Sequence, residues 1–150
     1  MKAFVVLTFC LAVANAKVDP KVIEEIIEEF TETVAKCSDE INPNADDIAA
    51  LTEMKHIPDS HEGKCMIYCI YRSFDAVEED GHVKFEGGMA FLSKIKESDP
   101  DMFDKMSAIY KKCTETDYFD KDPCISSANF VSCNIKAGKE ANISSDISSW

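Results

Sequence analysis

The sequence predicts an all-α protein with about six short helices in a single domain. Along most of the chain, apolar residues recur every three or four positions, which is typical of helices that bury one face. The dipeptide Asp-Pro begins at positions 19, 99 and 122, and an aspartate directly before a proline is a common helix start. No segment shows the alternating pattern, bounded by turn residues, that indicates a β-strand.

The first predicted helix begins at the Asp19-Pro20 pair. Its apolar face carries Val22, Ile23, Ile26, Ile27, Phe30 and Val34. Glutamates at positions 24, 25, 28 and 29 occupy the opposite face. This arrangement is typical of a helix that packs one face on a core and exposes the other to water.

The other five predicted helices cover residues 44–55, 61–79, 85–97, 100–113 and 123–138. The second stops before Pro58, because a proline disfavours helical conformation in the residue that precedes it. The third ends at Gly81, since glycine commonly follows the last helical residue. Gly87 and Gly88 lower the helix propensity at the start of the fourth. The fifth and sixth begin at Asp-Pro pairs, and the sixth ends at Gly138.

Residues 1–16 have the pattern of a secretory signal peptide. A lysine at position 2 precedes an apolar run over residues 3–14, which is too short to span a bilayer, and the small residues Ala14 and Ala16 suit signal peptidase. We expect cleavage after Ala16, which leaves residues 17–150 as a secreted domain. No later run is apolar enough to cross a membrane, so no membrane span is expected.

Six cysteines lie in the predicted mature chain, because Cys10 is removed with the signal peptide. They are Cys37, Cys65, Cys69, Cys113, Cys124 and Cys133. An even number of cysteines in a secreted chain indicates three disulfides. On a helix, Cys65 and Cys69 lie on one face with nearly parallel side chains, so each is expected to bond to a different element. The sequence alone leaves fifteen pairings open.

The intervals between these cysteines resemble those of the six-cysteine insect odorant-binding proteins, the pheromone and general odorant-binding family. They follow the pattern C-x27-C-x3-C-x43-C-x10-C-x8-C, and the intervals of three and eight residues are the most constant in that family. The resemblance covers the whole predicted mature chain. It implies the disulfides Cys37–Cys69, Cys65–Cys124 and Cys113–Cys133.

The resemblance also implies a function. Members of this family bind small hydrophobic odorants or pheromones in an internal apolar cavity and transport them through aqueous fluid to receptors. We therefore expect a secreted carrier in extracellular fluid, such as sensillar lymph. Its expected ligand is an odorant, a pheromone or a fatty alcohol, ester or aldehyde. An olfactory receptor and a second copy of the chain, in a homodimer, are the macromolecular partners to consider.

Two sets of residues are predicted to line the cavity. The resemblance implies ligand contacts for Phe30, Ile67, Tyr110 and Phe130, from their positions relative to the nearest cysteines. Helical periodicity adds Ile70, Phe74, Met89, Leu92, Met106 and Ile109. An apolar residue at helical spacing is equally well explained as part of a solid core, so both interpretations stay open at each position.

The C-terminal tail, residues 139–150, carries Ile143, Ile147 and Trp150 at spacings of four and three. Such a stripe fits a helical turn that lies on an apolar surface. Family members with tails of middling length fold them over the mouth of the cavity, which predicts that Trp150 contacts the ligand as part of a lid. Two alternatives are insertion of the tail into the cavity as a helix, as in long-tailed family members, which the small number of apolar residues in this tail disfavours, and a disordered tail.

Other classes of function have little support. A net charge of −12 disfavours nucleic acid and anionic membranes as partners. The sequence contains no G-x-S-x-G motif, no H-E-x-x-H motif and no glycine-rich phosphate loop, so no enzyme activity and no cofactor are expected. The three histidines are scattered, and a segment around Gly81 that resembles a calcium loop lacks two key ligands, so no metal site is expected.

Two alternative functions remain beside the odorant carrier. A secreted carrier of lipids or other hydrophobic ligands outside olfaction fits the same cysteine pattern. A saposin-like lipid-interacting protein also has six cysteines on helices, but with a different spacing and with bridges that join the termini. The disulfide pairing distinguishes the saposin-like alternative from the carriers.

Overall fold

The structure, a computed structural model, describes residues 18–53 and 56–143. These residues form six α-helices, which confirms the predicted all-α fold. The helices are α1 (Pro20–Ile41), α2 (Ala45–Glu53), α3 (His61–Ser73), α4 (Phe85–Leu92), α5 (Pro100–Thr114) and α6 (Pro123–Glu140). No β-strand occurs in the described ranges, where the only sheet-like pairing is an isolated bridge between Val77 and Val83.

Three predictions concern residues outside the described ranges. They are the signal peptide over residues 1–16, the end of the second helix at residue 55, and the placement of Trp150 in a lid. The division into a signal peptide, a domain and a tail therefore stays a prediction.

Each Asp-Pro pair begins a helix as predicted. The aspartate carboxylates accept hydrogen bonds of 2.9 Å from backbone N–H groups in the first turn, Asp19 from Lys21, Asp99 from Met102 and Asp122 from Cys124. These N–H groups have no partner within the helix, and the proline next to the cap has no N–H to satisfy. Each cap stabilises its helix by about 1 kcal/mol.

Helix α3 ends at Ser73, so the prediction that it continues to residue 79 is wrong. The chain turns at Asp75, whose φ of 54° is left-handed, and turns again at Gly81, whose φ is 89°. A Cβ added to Gly81 would lie 2.8 Å from the Cα of Pro123. This loop therefore packs directly on the first residue of α6. Helical periodicity does not reveal this contact between the loop and α6.

The glycine pair in α4 permits two close contacts between elements. A Cβ on Gly87 would overlap the carbonyl oxygen of Asp75, and a Cβ on Gly88 would overlap the ring of Tyr110. Both glycines are buried. The pair lowers the helix propensity of α4, as the sequence predicts. Because neither residue has a side chain, α4 can lie directly against the loop after α3 and against α5.

Helix α4 is shorter than the predicted range of 85–97. It ends at Leu92 and continues as a tighter 3₁₀ turn over Ser93–Ile95. Such turns are common where α-helices end. Here the turn places Ile95 in the core, at 1% exposure, and the Ile95 carbonyl accepts a hydrogen bond from the backbone N–H of Asp99 at 2.8 Å. The start of α5 is thereby held close to the end of α4.

The three disulfides implied by the resemblance are present, which confirms that pairing. Cys37–Cys69 joins α1 to α3, Cys65–Cys124 joins α3 to α6, and Cys113–Cys133 joins α5 to α6. Helix α3 also packs against both α1 and α6, while α5 packs against α4 and α6. As predicted, the third helix is bonded to two different neighbours, because Cys65 and Cys69 do not bond to each other.

Candidate functional site

The described apolar side chains pack into three clusters. The aromatic cluster contains the buried residues Leu92, Tyr110, Cys113, Tyr118 and Phe130. The stapled cluster contains Val34, Cys37, Met66 and Ile70. The N-terminal cluster contains Val18, Ile26 and Ile95. Every described helix except α2 contributes at least one buried residue to these clusters.

A set of large, half-buried side chains packs against these clusters, and we refer to it as the apolar seam. The seam consists of Phe30, Phe74, Met89, Phe91, Met102, Phe103, Met106 and Ile109. These residues come from α1, α4, α5 and the end of α3. Because each is only partly buried, part of its apolar surface remains accessible.

The seam connects all three clusters. Phe74 packs on the stapled cluster, and its ring lies 4.8 Å from that of Phe91, which packs on the N-terminal cluster. Phe103 and Met106 contact both the N-terminal and the aromatic clusters. Three methionines belong to the seam, and their unbranched side chains can change rotamer to fit different neighbours. The seam is therefore a continuous and adaptable apolar surface.

Ten of the eleven predicted ligand-contacting residues lie in the described part of the chain, and all ten are buried or half-buried. Phe30, Ile70 and Phe74 belong to the stapled cluster or pack on it. Met89, Leu92, Met106, Ile109, Tyr110 and Phe130 belong to the aromatic cluster or pack on it. Ile67 is buried, with 2% exposure. Their contact with a ligand stays a prediction, as does that of Trp150, which lies outside the described residues.

Sequence reasoning missed several residues of the same surface. Phe103 lies three residues before Met106 and seven before Tyr110, so helical spacing was a sufficient signal for it. Phe91 lies next to Leu92 on the short α4, where eight residues, about two turns of helix, give little periodicity. Tyr118 lies in the loop between α5 and α6, and no spacing rule predicts that its ring is buried.

Phe130 lies at the centre of the aromatic cluster and is fully buried. Its ring packs edge-on against those of Tyr71, Tyr110 and Tyr118, at centroid distances of 6.2, 4.9 and 5.4 Å. Edge-to-face pairs of this kind stabilise a core beyond the area that they bury. Burial raises the pKa of Tyr71 to about 12 and raises the pKa of Tyr110 further. These tyrosines are therefore neutral hydroxyl groups at physiological pH.

The buried hydroxyl groups of this region fall into two kinds. Tyr118 accepts a hydrogen bond from the backbone N–H of Val83 at 3.1 Å, and Ser126 exchanges two bonds with the backbone of Asp120 at 2.6 and 2.7 Å. By contrast, the hydroxyls of Ser107, Tyr110 and Ser127 have no hydrogen-bond partner among the described residues. An unpaired hydroxyl is costly in a core, so these three groups need a physical explanation.

The cationic side chains lie outside the three clusters. Every described lysine and arginine is exposed or half-buried, and none belongs to a cluster. Lys84 pairs with Asp75, and Lys94 pairs with Glu29. Lys94 also lies over the ring of Phe91, with its Nζ 5.3 Å from the centroid. The clusters themselves are apolar apart from tyrosine hydroxyls and cysteine sulfurs.

One group of possible metal ligands occurs in the described ranges, formed by His61, Cys65 and Cys124. The two sulfurs are bonded to each other, so neither is a free thiolate. His61 Nε2 lies 2.7 Å from Oδ2 of Asp122, and this hydrogen bond holds the pKa of the Asp122 carboxyl below its usual range. The group therefore serves as a contact between the starts of α3 and α6.

Two open depressions lie on the outer surface, apart from the seam. One lies on α1 and is lined by Pro20, Ile23, Glu24, Ile27 and Glu28. The other lies beside α5 and α6 and is lined mainly by polar residues. Neither contains a predicted ligand-contacting residue. Of the described helices, none combines the length and the apolar character needed to cross a bilayer.

Three comparisons relate the chain to known proteins. The sequence profile of the PBP/GOBP family matches residues 20–137. General odorant-binding protein 19d of Drosophila melanogaster is 25% identical over 133 residues, which cover 87% of this chain and 84% of that protein. The structure of odorant-binding protein dmelOBP28a from Drosophila melanogaster matches with a TM-score of 0.71 and 17% identity, over 81% of this chain and 99% of that one.

Proposed function

The chain belongs to the PBP/GOBP family, a family of odorant-binding carriers rather than enzymes, and on that premise we propose that it is a secreted carrier of small hydrophobic ligands. The ligand binds along the apolar seam, in a cavity that opens between α1, α4 and α5. The carrier takes odorants or pheromones through an extracellular fluid, sensillar lymph, to a receptor. Residues 1–16 direct its secretion.

The apolar seam is the observation that carries this proposal. Burial of apolar area is the main stabilising contribution in folding, so half-buried apolar side chains between the clusters offer surface on which an apolar ligand can be buried. Here the seam leaves eight large apolar residues half-buried where three clusters meet. Transfer of a chain of ten or so CH₂ groups onto such a surface contributes about 0.8 kcal/mol for each group, which is sufficient for micromolar affinity.

The disulfides explain how the fold tolerates this arrangement. Each of them closes a loop and stabilises the folded state by about 3–4 kcal/mol in the chain-entropy model. The three bonds connect α1, α3, α5 and α6 in one chain of crosslinks. The fold therefore depends less on tight packing along the seam, and the seam residues can separate to admit a ligand.

The saposin-like alternative is disfavoured by the disulfide pairing. The observed bridges join neighbouring helices in the interior of the chain, whereas that class joins its termini. A carrier outside olfaction has the same fold and the same kind of site, so the two carriers differ in ligand and tissue. Native mass spectrometry of the protein extracted from its source tissue would identify the ligand. A homodimer would be detected in the same spectrum.

Binding of a neutral fluorescent apolar probe tests the proposed function. We expect saturable binding at micromolar concentration and about tenfold weaker binding by Phe30→Ala, because a whole aromatic ring is removed from the seam. Ile27→Ala is the matched control, since Ile27 lies on the same helix but is 39% exposed on its outer face.

The free energy of unfolding of both variants should be measured in parallel. If Phe30→Ala lowers only stability and leaves probe affinity intact, Phe30 is a core residue and does not contact the ligand. Absence of saturable binding by the wild-type protein would overturn the carrier function itself.

A further inference from the structure

The disulfide between Cys65 and Cys124 has a histidine beside it. Nδ1 and Nε2 of His61 lie 3.7 and 3.9 Å from Sγ of Cys65, and a ring nitrogen of His61 and the two sulfurs lie within 4.8 Å of one another. The side chain of His61 is 59% exposed, so a small molecule in solution can reach it. Cys65 is half-buried, whereas Cys124 is only 8% exposed. The sulfur of Cys65 is therefore the one that an incoming molecule meets.

Asp122 determines which ring nitrogen of His61 carries the proton. Its Oδ1 accepts a hydrogen bond from the backbone N–H of Cys124 at 2.9 Å, and its Oδ2 lies 2.7 Å from Nε2 of His61. A carboxylate only accepts hydrogen bonds, so Nε2 of the neutral imidazole donates its proton there and Nδ1 keeps a free lone pair. Because Nδ1 is also the ring nitrogen nearer to the sulfur of Cys65, His61 is oriented as a base beside the disulfide.

The position of Cys124 favours a thiolate there when the disulfide breaks. Cys124 is the second residue of the 18-residue helix α6, and the positive end of a helix dipole stabilises a thiolate. The negative charge of Asp122 opposes this effect, but it is balanced by the imidazolium that His61 becomes after it takes up a proton. Cys124 is therefore suited to be the leaving sulfur, and Cys65 to be the sulfur that is attacked.

The other two disulfides lack this arrangement. Cys37 and Cys113 are completely buried. Sγ of Cys69 lies 3.9 Å from Oε2 of Glu40, and a carboxylate beside a sulfur disfavours a thiolate. Cys113 is the penultimate residue of α5, where the negative end of the helix dipole also disfavours one. In the part of the chain that the structure describes, a histidine lies beside a sulfur only at the bond between α3 and α6.

We propose that Cys65 is a site of thiol–disulfide exchange, at which a low-molecular-weight thiol forms a mixed disulfide with His61 as the general base. Nδ1 of His61 takes the proton of the thiol, and the thiol sulfur bonds to Sγ of Cys65. The bond between Cys65 and Cys124 breaks, its electron pair goes to the sulfur of Cys124, and His61 returns the proton there. The incoming sulfur is oxidised and that of Cys124 is reduced, so no further reactant is needed.

A base matters here because few thiol molecules are ionised at neutral pH. The thiolate is the attacking species, and at pH 7 only about 3% of a thiol with a pKa of about 8.5 is ionised. A base that removes the proton at the point of attack can therefore raise the rate by up to about 30-fold. The exchange cuts the covalent connection between α3 and α6, so this crosslink responds to thiols in the surrounding fluid.

The test is a brief exposure of the folded protein to 2-mercaptoethanol at pH 7, followed by iodoacetamide and peptide mass spectrometry. This thiol is uncharged, so the net charge of −12 on the chain does not repel it. We expect the bond between Cys65 and Cys124 to react at least about tenfold faster than the other two bonds. The mercaptoethanol adduct should lie on Cys65 and the alkyl group on Cys124.

His61→Gln removes the base, and we expect it to slow the exchange at Cys65 by about tenfold. His82→Gln is the matched control. The side chain of His82 is 55% exposed and lies 3.0 Å from a carboxylate oxygen of Asp80, much as His61 is paired, but its ring stacks on Phe119 and not beside a sulfur. His82→Gln should therefore exchange at the wild-type rate.

The direction of the change distinguishes a base from a residue that only covers the bond. If His61 merely shielded the disulfide, His61→Gln would expose the sulfur and react faster, so a faster or unchanged rate would overturn the proposal. Three further results in the wild-type protein, which need no variant, would also overturn it: no reaction, equal reaction at all three disulfides, or an adduct on Cys124. None of these results affects the carrier function, which probe binding tests separately.

Discussion

Two regions of the molecule differ in how they are held in place. One is the contact between α3 and α6, and the other is the short helix α4. Helices α3 and α6 are joined by the Cys65–Cys124 disulfide and each has a side-chain N-cap, from Ser60 and Asp122. Helix α4 has eight residues, no cysteine and no side-chain cap. Helix α4 carries Met89 and packs on a cluster that Met106 also contacts, whereas α3 packs directly against α6, where the ring of Tyr71 meets that of Phe130. We refer to α3 and α6, which are crosslinked, as the frame, and to α4, which is held only by packing, as the wall.

This difference indicates where a ligand enters. Opening of a local segment costs least where crosslinks, caps and buried contacts are few. By that criterion α4 separates from α5 more easily than α3 separates from α6. We therefore expect ligand uptake to move α4 and to leave the frame in place. Three predictions test the contrast, in order of expected effect.

The largest effect concerns the frame. Replacing Cys65 and Cys124 together by alanine should lower the free energy of unfolding by about 4 kcal/mol, because the disulfide closes a sequence separation of 59 residues. The matched control replaces Cys113 and Cys133, whose separation is 20, and should cost about 3 kcal/mol. Urea denaturation measures both values.

Hydrogen exchange on the same proteins tests the contrast directly. In the wild-type protein, amides of α4 should exchange faster than those of α3 and α6. Loss of Cys65–Cys124 should raise exchange in α3 and α6 toward the rate in α4. Equal exchange rates in all three helices of the wild-type protein would contradict the distinction between frame and wall.

The second prediction concerns the wall. Gly88→Ala should lower the free energy of unfolding by about 1–3 kcal/mol, since the added Cβ overlaps the ring of Tyr110 and the core must shift. Gly138→Ala is the control, because no atom lies within 4 Å of its added Cβ. There the better helix propensity of alanine should stabilise the protein by about 0.5–1 kcal/mol.

Thermal or urea unfolding of the two glycine variants measures whether α4 can move to accommodate the added side chain without loss of stability. A Gly88→Ala protein as stable as the wild type would show that α4 moves away from α5 at no cost. That result would contradict the prediction that the contact between Gly88 and the Tyr110 ring constrains the position of α4.

The smallest effect concerns the electrostatic contact at the frame. The hydrogen bond from His61 lowers the pKa of Asp122 in the folded protein, so this carboxylate contributes stability above the unfolded pKa of about 4. The contribution is lost as the pH falls through the lower, folded value. Asp122→Asn should therefore be less stable than the wild type by under about 1 kcal/mol near pH 6, since the pair is partly exposed.

The stability difference between wild type and Asp122→Asn should disappear once the wild-type carboxylate is protonated, well below pH 4. Urea denaturation at several pH values measures this difference, and asparagine is a suitable replacement because it can still cap α6. A difference that stays constant across the acidic range would show that the loss arises from the cap and not from the charge.

Much of the fold was predictable because its signals are local. The aspartate caps at 19, 99 and 122 act within one helical turn, so each can be read from adjacent residues. The cysteine intervals identified the pairing through a family resemblance, and the geometry of one helix face already excluded a bond between Cys65 and Cys69. The family resemblance and the apolar periodicity together predicted ten site residues that are buried or half-buried in the structure.

The remaining features were decided by contacts between segments distant in sequence. The apolar spacing of α3 continues past Ser73, but the helix ends there and the chain continues into a loop that packs on Pro123 at Gly81. Tyr118 lies in a loop, and only its packing on Phe130 explains its burial. Ser126 and Ser127 are identical neighbours in the sequence, yet one is paired and the other is not. Local sequence determines the helix caps, the apolar face of each helix and the fact that Cys65 and Cys69 do not bond to each other, because each of these depends on residues within one or two helical turns. Which hydroxyl finds a partner depends on atoms that only the folded chain brings together.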